Sequence, residues 1–243
     1  YKHAGDLQTA TILLNKAREM DLQDRNINTK HVKYLFRNKQ CEKAIEIASL
    51  FTKDETGDKS YVETVRHFYN MQVIWMELEE GNSRLSTNDL SWSLKRFQSV
   101  HDHYKQFIVD QFDFHNYCMR KSTLRAYLGM VELVDDMHSR PEYQIASRGM
   151  VKCYLKLAEE EELAKNGDED AIERISKRTK KANHSKKIQS ESKQDRDAMG
   201  RKKDFDEDGN VAVTDACERG YMVCAFEICE DLKKFDVLQN DYE

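Results

Sequence analysis

Apolar positions along this chain recur at intervals of three and four residues, the period of helices that each bury one stripe. Leu7, Ala10, Leu14 and Ala17 keep that spacing before Asp21-Leu22 ends the run. Val32, Leu35 and Phe36 place a second stripe on 28–38, and Ala44, Ile45, Ile47, Ala48 and Phe51 a third. Val65, Phe68, Tyr69, Val73, Ile74 and Met76 predict a helix over 61–79, closed by a polar turn at Gly81-Asn82-Ser83-Arg84. Ser93, Phe97 and Val100 mark a helix over 89–110, and two more are expected over 112–137 and 142–165. Pro141 opens the last of these, where its missing N–H costs nothing. Past 211, Cys217, Tyr221, Cys224, Phe226 and Ile228 supply a final stripe. One proline and nine glycines in 243 residues argue the same way, because sandwiches and barrels need turn residues every ~8–12 positions.

The pattern repeats. Gly5-Asp6-Leu7-Gln8-Thr9-Ala10 has the turn and small residue that open the second helix of a tetratricopeptide hairpin, and Ala44 returns 34 residues after Ala10. From Ala44 to the next small position, Ser93, the spacing is 49, which predicts loop insertions at 53–60 and 81–87. The predicted fold class is all-α: a tetratricopeptide-type helical-hairpin solenoid with a charged, disordered insertion. Its parts are repeats over 1–165, a charged low-complexity linker or exposed helix over 166–210, and a C-terminal helical segment over 211–243. The chain opens inside a repeat, as a piece of a longer array would. Such arrays bind partners along an extended surface and seldom do chemistry.

Charge changes the picture after Lys165. The net charge of −5 hides a stretch from Glu173 to Lys203 with twelve Lys and Arg against four Asp and Glu, followed at once by Asp204, Asp206, Glu207 and Asp208. Its apolar residues are too sparse to bury a full helix face. Lys177, Arg178, Lys180, Lys181, Lys186, Lys187, Arg201, Lys202 and Lys203 are candidates for a sequence-independent contact with phosphate backbones, as of RNA or the ribosome. No aromatic lies between them, so base stacking is not expected. A solvated linker and a nuclear-localisation-like run are the competing readings.

Candidate chemistry is scarce. The chain has no nucleophile elbow, phosphate loop or dinucleotide fingerprint, and no cofactor of its own is expected. His101 and His103, two apart on a helix, point to different faces and make a poor metal pair. Six cysteines without a CxxC pair read as small core thiols of a reduced intracellular protein. No apolar run reaches the ~18–20 residues of a membrane span, so no membrane partner is expected.

Two strings resemble one family. Ala17-Arg18-Glu19-Met20-Asp21-Leu22-Gln23-Asp24-Arg25-Asn26-Ile27-Asn28-Thr29-Lys30, continuing to Lys33-Tyr34-Leu35, is similar to the auxiliary subunit of the NatA N-terminal acetyltransferase. So is Asp110-Gln111-Phe112-Asp113-Phe114-His115-Asn116-Tyr117-Cys118-Met119-Arg120-Lys121. The similarity runs over about residues 1–160, and the family carries a Lys-rich segment where this chain has its basic tract. The resemblance implies a non-catalytic scaffold that wraps the catalytic N-alpha-acetyltransferase subunit and anchors it at the ribosome, in the cytoplasm and in part the nucleus. Acetyl-CoA would be bound by that partner. It also implies inositol hexakisphosphate as a structural ligand, for which Arg25, Lys30, Lys33 and Tyr34 are the candidates. Lys30, Lys33 and Tyr34 share one helix face, with Arg37 one turn beyond Lys33. His31 stands where the family shows a small residue or cysteine. Phe112, Phe114, Tyr117, Leu124 and Tyr127 are expected as core between helix pairs, and Arg120, Lys121 and Arg125 as interface cations. The alternative reading is a tetratricopeptide adaptor of another complex that uses the basic tract to bind RNA.

Overall fold

The computed structural model describes residues 1–52, 61–121, 123–135, 137–191, 204, 206 and 208–234. Among these, the regular structure is helical: α1 (Leu7–Met20), α2 (Arg25–Arg37), α3 (Cys41–Ser49), α4 (Tyr61–Asn70), α5 (Ile74–Ser86), α6 (Leu90–Lys121), α7 (Leu124–Asp135), α8 (Pro141–Lys165), α9 (Glu169–Glu191), α10 (Asn210–Arg219) and α11 (Tyr221–Lys234). Successive helices pack on one another, α1 on α2, α2 on α3, α3 on α4 and α5 on α6, while α8 lies against α5, α6, α9 and α11.

The 34-residue register marks real equivalence. Ala10 and Ala44 are buried in α1 and α3, the two helices that flank α2. Each helix start has a local cause. Thr9 N–H donates to the Asp6 carboxylate at 3.0 Å, so Asp6 caps α1. The Asp24 carboxylate accepts from the N–H groups of Asn26 and Ile27 and caps α2. Asn28, buried one turn later, donates its side-chain amide to the Ile47 carbonyl at 3.3 Å and ties α2 to the end of α3. The Asp-Arg-x-Ile-Asn string is therefore in large part a device for setting α2.

Two apolar cores meet on α5. Val32, Leu35, Phe36, Ala44, Ile45, Ala48 and Met76 form one. Leu78, Leu90, Leu94, Phe97, Val100, Met150, Cys153, Tyr154 and Leu157, joined by Tyr221, Cys224 and Leu232, form the other. Phe97 sits at its centre with no exposure. A Cβ on Gly81 of α5 would stand 2.8 Å from its ring, and one on Gly149 of α8 2.4 Å away. Two helices thus close on one ring because each presents a glycine there. Ser93, beside them, donates to the Gly81 carbonyl at 2.8 Å.

Several boundaries differ from the sequence expectation. The turn expected at Gly81–Arg84 lies inside α5, since Gly81 is a packing residue and Ser83 donates to the Phe36 carbonyl at 2.6 Å. The chain turns instead at Gln72 and Asn88, with φ of 55° and 64°, just as Lys39 turns it after α2 at 60°. The 49-residue spacing therefore contains two helices, α4 and α5, where one helix and a loop were expected; the other expected insertion, 53–60, lies outside the described residues. The two helices expected over 89–110 and 112–137 are a continuous α6 to Lys121 and then α7, because no glycine or proline interrupts the helix near Gln111. Pro141 does open α8.

The side chains of Phe112, Phe114, Tyr117, Arg120 and Lys121 lie outside the described residues. Leu124 is 61% exposed and Arg125 is exposed, against the core position expected for Leu124, while Tyr127 is partly buried. In the last segment Tyr221, Cys224 and Leu232 face α8, whereas Cys217 and Phe226 are exposed, in contrast to the stripe expected for them. Residues 235–243 lie outside the described residues.

Candidate functional site

The cations of α2 divide by direction. Lys30 is exposed, and Lys33, one turn on, lies half-buried with Nζ 4.7 Å from the centre of the Trp75 ring on α5. Arg37, a further turn on, donates through Nε to both oxygens of Glu79 at 3.0 and 3.1 Å, and its guanidinium lies 5.9 Å from the Tyr34 ring. Lys30, Lys33, Tyr34 and Arg37 follow one another at helical spacing along one face of α2, of which Lys33 and Arg37 lean on α5. Arg25 stands apart, at the first residue of the helix, with its guanidinium 5.7 Å from the Phe51 ring beyond α3. The structure brings three of the four inositol-phosphate candidates together and leaves Arg25 at the other end of the helix.

His31 points away from that face. It is fully buried, with neither ring nitrogen hydrogen-bonded. Burial, with Arg18 and Lys43 nearby, pushes its pKa down to about 4. A neutral, unpaired imidazole in the core is a cost carried by this chain rather than a ligand position. Its isolation was not visible in the sequence, which places it one residue from Lys30.

The basic tract is helical over 169–191, and this helix is not solitary. α9 packs on α8 and α10, with Ala171 and Ala182 fully buried in the contact. Alanines bury little area, so charge completes the attachment. Glu160 of α8, itself 5% exposed, accepts from Arg174 Nε at 2.5 Å and is ion-paired through its other oxygen with Arg178 Nη1 at 2.5 Å. Lys186 pairs with Asp215 of α10 at 2.8 Å, and Lys181 with Asp208 at 3.8 Å. The acidic string after the tract also folds back. Asp204 pairs with Lys95 of α6 at 2.9 Å, and the Asp206 carboxylate accepts from the N–H groups of Val211 and Ala212 at the start of α10. Lys177 meets only its helix neighbour Glu173, at 2.7 Å, while Lys180 and Lys187 are exposed. Arg201, Lys202 and Lys203 lie outside the described residues. Sequence reasoning missed Glu160, although its phase was a signal: it continues the stripe Met150, Cys153, Leu157.

A second buried polar group joins α4, α5 and α6. Glu77 and Glu80 are fully buried. His103 lies 2.9 Å from Glu77, Tyr69 donates its hydroxyl to Glu80 at 2.6 Å, and Arg84 donates to Glu80 at 3.3 Å and Asp89 at 3.0 Å. Arg96 stacks 3.9 Å from the centre of the Tyr69 ring, with Nε and Nη1 buried and not hydrogen-bonded. Burial raises the pKa of Glu77, against the pull of His103. Both carboxylates are thus held by partners inside the core, which suits cross-linking of helices rather than proton transfer to a substrate. His101 turns to Ser147 on α8 at 2.8 Å and stacks 4.2 Å from Tyr143, so it shares no ligand position with His103. Among the described residues no group of three or more His, Cys, Asp or Glu could hold a metal ion. Burial pushes the Cys153 thiol up to about 11, which keeps it protonated and inert. Among the described residues no helix is long and apolar enough to cross a membrane.

Residues 1–218 match the family model of the N-terminal acetyltransferase A auxiliary subunit. The chain belongs to that family. The match takes in α1 to α9 and all but the last residue of α10, so the basic helix is part of the family's domain. Among curated relatives, the N-terminal acetyltransferase A complex auxiliary subunit NAA15 of Arabidopsis thaliana is 43% identical over 156 residues, 64% of this chain and 17% of that protein. The N-alpha-acetyltransferase 16, NatA auxiliary subunit, of Mus musculus is 36% identical over 157 residues, 65% of this chain and 18% of that protein. The chain thus spans less than a fifth of the length of these relatives. A chain in a solved structure of Naa15/Naa10 bound to HypK-THB superposes with a TM-score of 0.61 at 33% identity, covering 72% of this chain and 28% of that one. These NatA relatives are named as auxiliary subunits.

Proposed function

We propose that this chain is part of the non-catalytic scaffold of an N-terminal acetyltransferase: it holds a small catalytic subunit, which binds acetyl-CoA, and presents basic surfaces to the ribosome. The observation that carries the reading is the family match over 1–218, joined to the structural likeness to a chain of a Naa15/Naa10 complex. A stack of amphipathic helix pairs with an inert interior suits wrapping a partner. The deciding experiment co-expresses the full-length protein with the catalytic subunit of the same organism. Co-purification, with N-terminal acetylation of peptides rising above that of the catalytic subunit alone, is expected. Failure to associate would overturn the scaffold reading.

Two ligands follow from the same reading. Inositol hexakisphosphate is proposed on Lys30, Lys33 and Tyr34, where a dense polyphosphate would meet cations on one helix face. Calorimetry on the full-length complex should show Lys30→Glu plus Lys33→Glu weakening the affinity by more than tenfold; equal affinity in the variant sinks the assignment. Contact with ribosomal RNA is proposed for α9, supported by its exposed lysines. With that contact goes a proposed cytoplasmic location, where nascent chains emerge. An RNA-binding adaptor of another complex is the outcome if α9 binds RNA and no acetyltransferase subunit associates.

A further inference from the structure

The cations of α9 sit on two opposite sides of the helix, and only one side is available to a partner. The inner side is marked by Ala171 and Ala182, both fully buried. Arg174 and Arg178, one helical turn apart, reach from that side to the same carboxylate, Glu160, each at 2.5 Å. On the outer side Lys177, Lys180, His184 and Lys187 follow one another at intervals of three and four, and all are exposed. Among the described residues, Lys180, His184 and Lys187 have no ionic partner, and Lys177 has only Glu173. At 1.5 Å rise per residue this ridge is about 15 Å long, enough to follow several phosphates of one RNA strand.

We infer that Glu160 is a positioning residue: by clamping Arg174 and Arg178 it fixes the roll of α9 and so turns the Lys177–Lys180–Lys187 ridge outward, towards an RNA phosphate backbone. The alanine contact alone is too small and smooth to set the roll of a 23-residue helix. A carboxylate 5% exposed must be neutralised where it lies; Arg174 hydrogen-bonds one oxygen and Arg178 neutralises the other by charge alone, and both cations reach it together in one rotational setting of α9. The inference rests on the RNA reading of α9 proposed above, and adds to it a division of labour: inner arginines hold, outer lysines bind.

The test uses the full-length protein in complex with its catalytic subunit and a labelled RNA duplex, with affinity followed over a salt series and α9 docking followed by amide exchange. Lys177→Glu, Lys180→Glu and Lys187→Glu together should abolish most binding and lower the salt slope by about two to three, with exchange in α9 unchanged. Glu160→Gln is the decisive variant, because electrostatics and positioning predict opposite signs. Removing a negative charge should tighten RNA binding if the tract acts only as a sum of charges. A clamp predicts the reverse: faster exchange over 171–182 and a several-fold loss of affinity, although no cation has been removed. Tighter or unchanged binding in Glu160→Gln overturns the clamp while leaving the RNA reading intact. A wild-type complex that does not bind the duplex, or an outer-ridge variant that binds like wild type, overturns the RNA reading itself and the inference with it.

Discussion

The layer around Phe97 and the layer around Glu160 solve the same problem, attaching one helix to α8, by opposite means. At Phe97, helices close on an aromatic ring through two glycines, and the contact excludes water from one of the two apolar cores. At Glu160, α9 lays two alanines on its neighbours and relies on a buried carboxylate with two arginines, backed by Lys186–Asp215 at its far end. The first contact is shape and area, which salt barely touches. The second is charge with little area, specific in rotation but weak in the aggregate. Within one solenoid the repeats that need rigidity use the former, and the helix that carries an exposed basic face uses the latter.

The sharpest way to break the comparison is Phe97→Ala. The ring is fully buried between α5, α6 and α8, and its removal leaves a cavity walled by helix backbone that cannot easily collapse. A loss of about 3–5 kcal/mol is expected in urea unfolding of the complex-free protein. A loss below about 1 kcal/mol would show that the two glycines allow the helices to close further, and that the ring is not the hub.

Acid should attack the apolar side of the comparison before the charged one. His31 and His101 are both buried, with pKa pushed down to about 4 from 6.5. Burial is the main cause for each, aided by Arg18 and Lys43 at His31 against Glu19, and by Lys105 and His138 at His101 against Asp231. In the unfolded chain both imidazoles take up a proton near 6.5, where the folded protein refuses it. Their stabilising effect is complete above that pH and is lost as pH falls towards 4, on the order of 3 kcal/mol for each group. Melting temperature should therefore drop steeply from about pH 7 to about pH 5. His31→Leu should flatten part of that slope and, by removing two unsatisfied nitrogens, raise stability at neutral pH by about 1–2 kcal/mol. A destabilised His31→Leu would show that His31 packs better than its hydrogen bonding suggests.

A smaller effect tests the glycines themselves. In an exposed helix, alanine for glycine stabilises by about 0.5–1 kcal/mol, and Gly129 of α7, with open space around it, should show that gain. Gly149→Ala should have the opposite sign, a loss of about 1–3 kcal/mol, because its Cβ must displace the Phe97 ring. Two stabilised variants would mean that α8 can slide off α6 at little cost.

These sites also show what was legible in the sequence. The repeat was, because Ala10 and Ala44 are small for a geometric reason and therefore recur at the helix-pair period. The Gly5-Asp6 turn before α1 and Pro141 at the start of α8 are local signals, and both open helices. Gly81 reads locally as a turn because its packing role depends on Phe97, 16 positions away; the turns fall on Gln72, which nothing local distinguishes, and on Asn88, whose tolerance of positive φ is a local signal. The basic tract reads as a charged linker or an exposed helix, since alanines contribute little to an apolar stripe. What attaches it, Glu160, hides in a run of four glutamates and shows only through its phase with Cys153 and Leu157. Of the candidate cations, spacing placed Lys30, Lys33 and Tyr34 on one face correctly, whereas partners for Arg37, Arg178 and Lys186 come from other helices and could not be read from spacing.

The smallest effect separates the two ends of α9. The Lys181–Asp208 and Lys186–Asp215 pairs are partly exposed, so each is worth up to about 1 kcal/mol and is screened by salt. The Glu160 cluster is held under α9 with its carboxylate 5% exposed, where counterions do not reach. Raising the salt from about 0.1 M to about 1 M shortens the screening length from ~10 to ~3 Å. Amide exchange over 181–190 should then quicken by about two- to fivefold, while exchange over 171–178 and in α6 around Phe97 stays the same. Uniform quickening along α9 would mean that Glu160 is screened like a surface acid, and the distinction between clamp and surface pairs would disappear. Protection that persists at both ends would instead assign the hold on α9 to Ala171 and Ala182, making its attachment a small version of the Phe97 contact rather than its opposite.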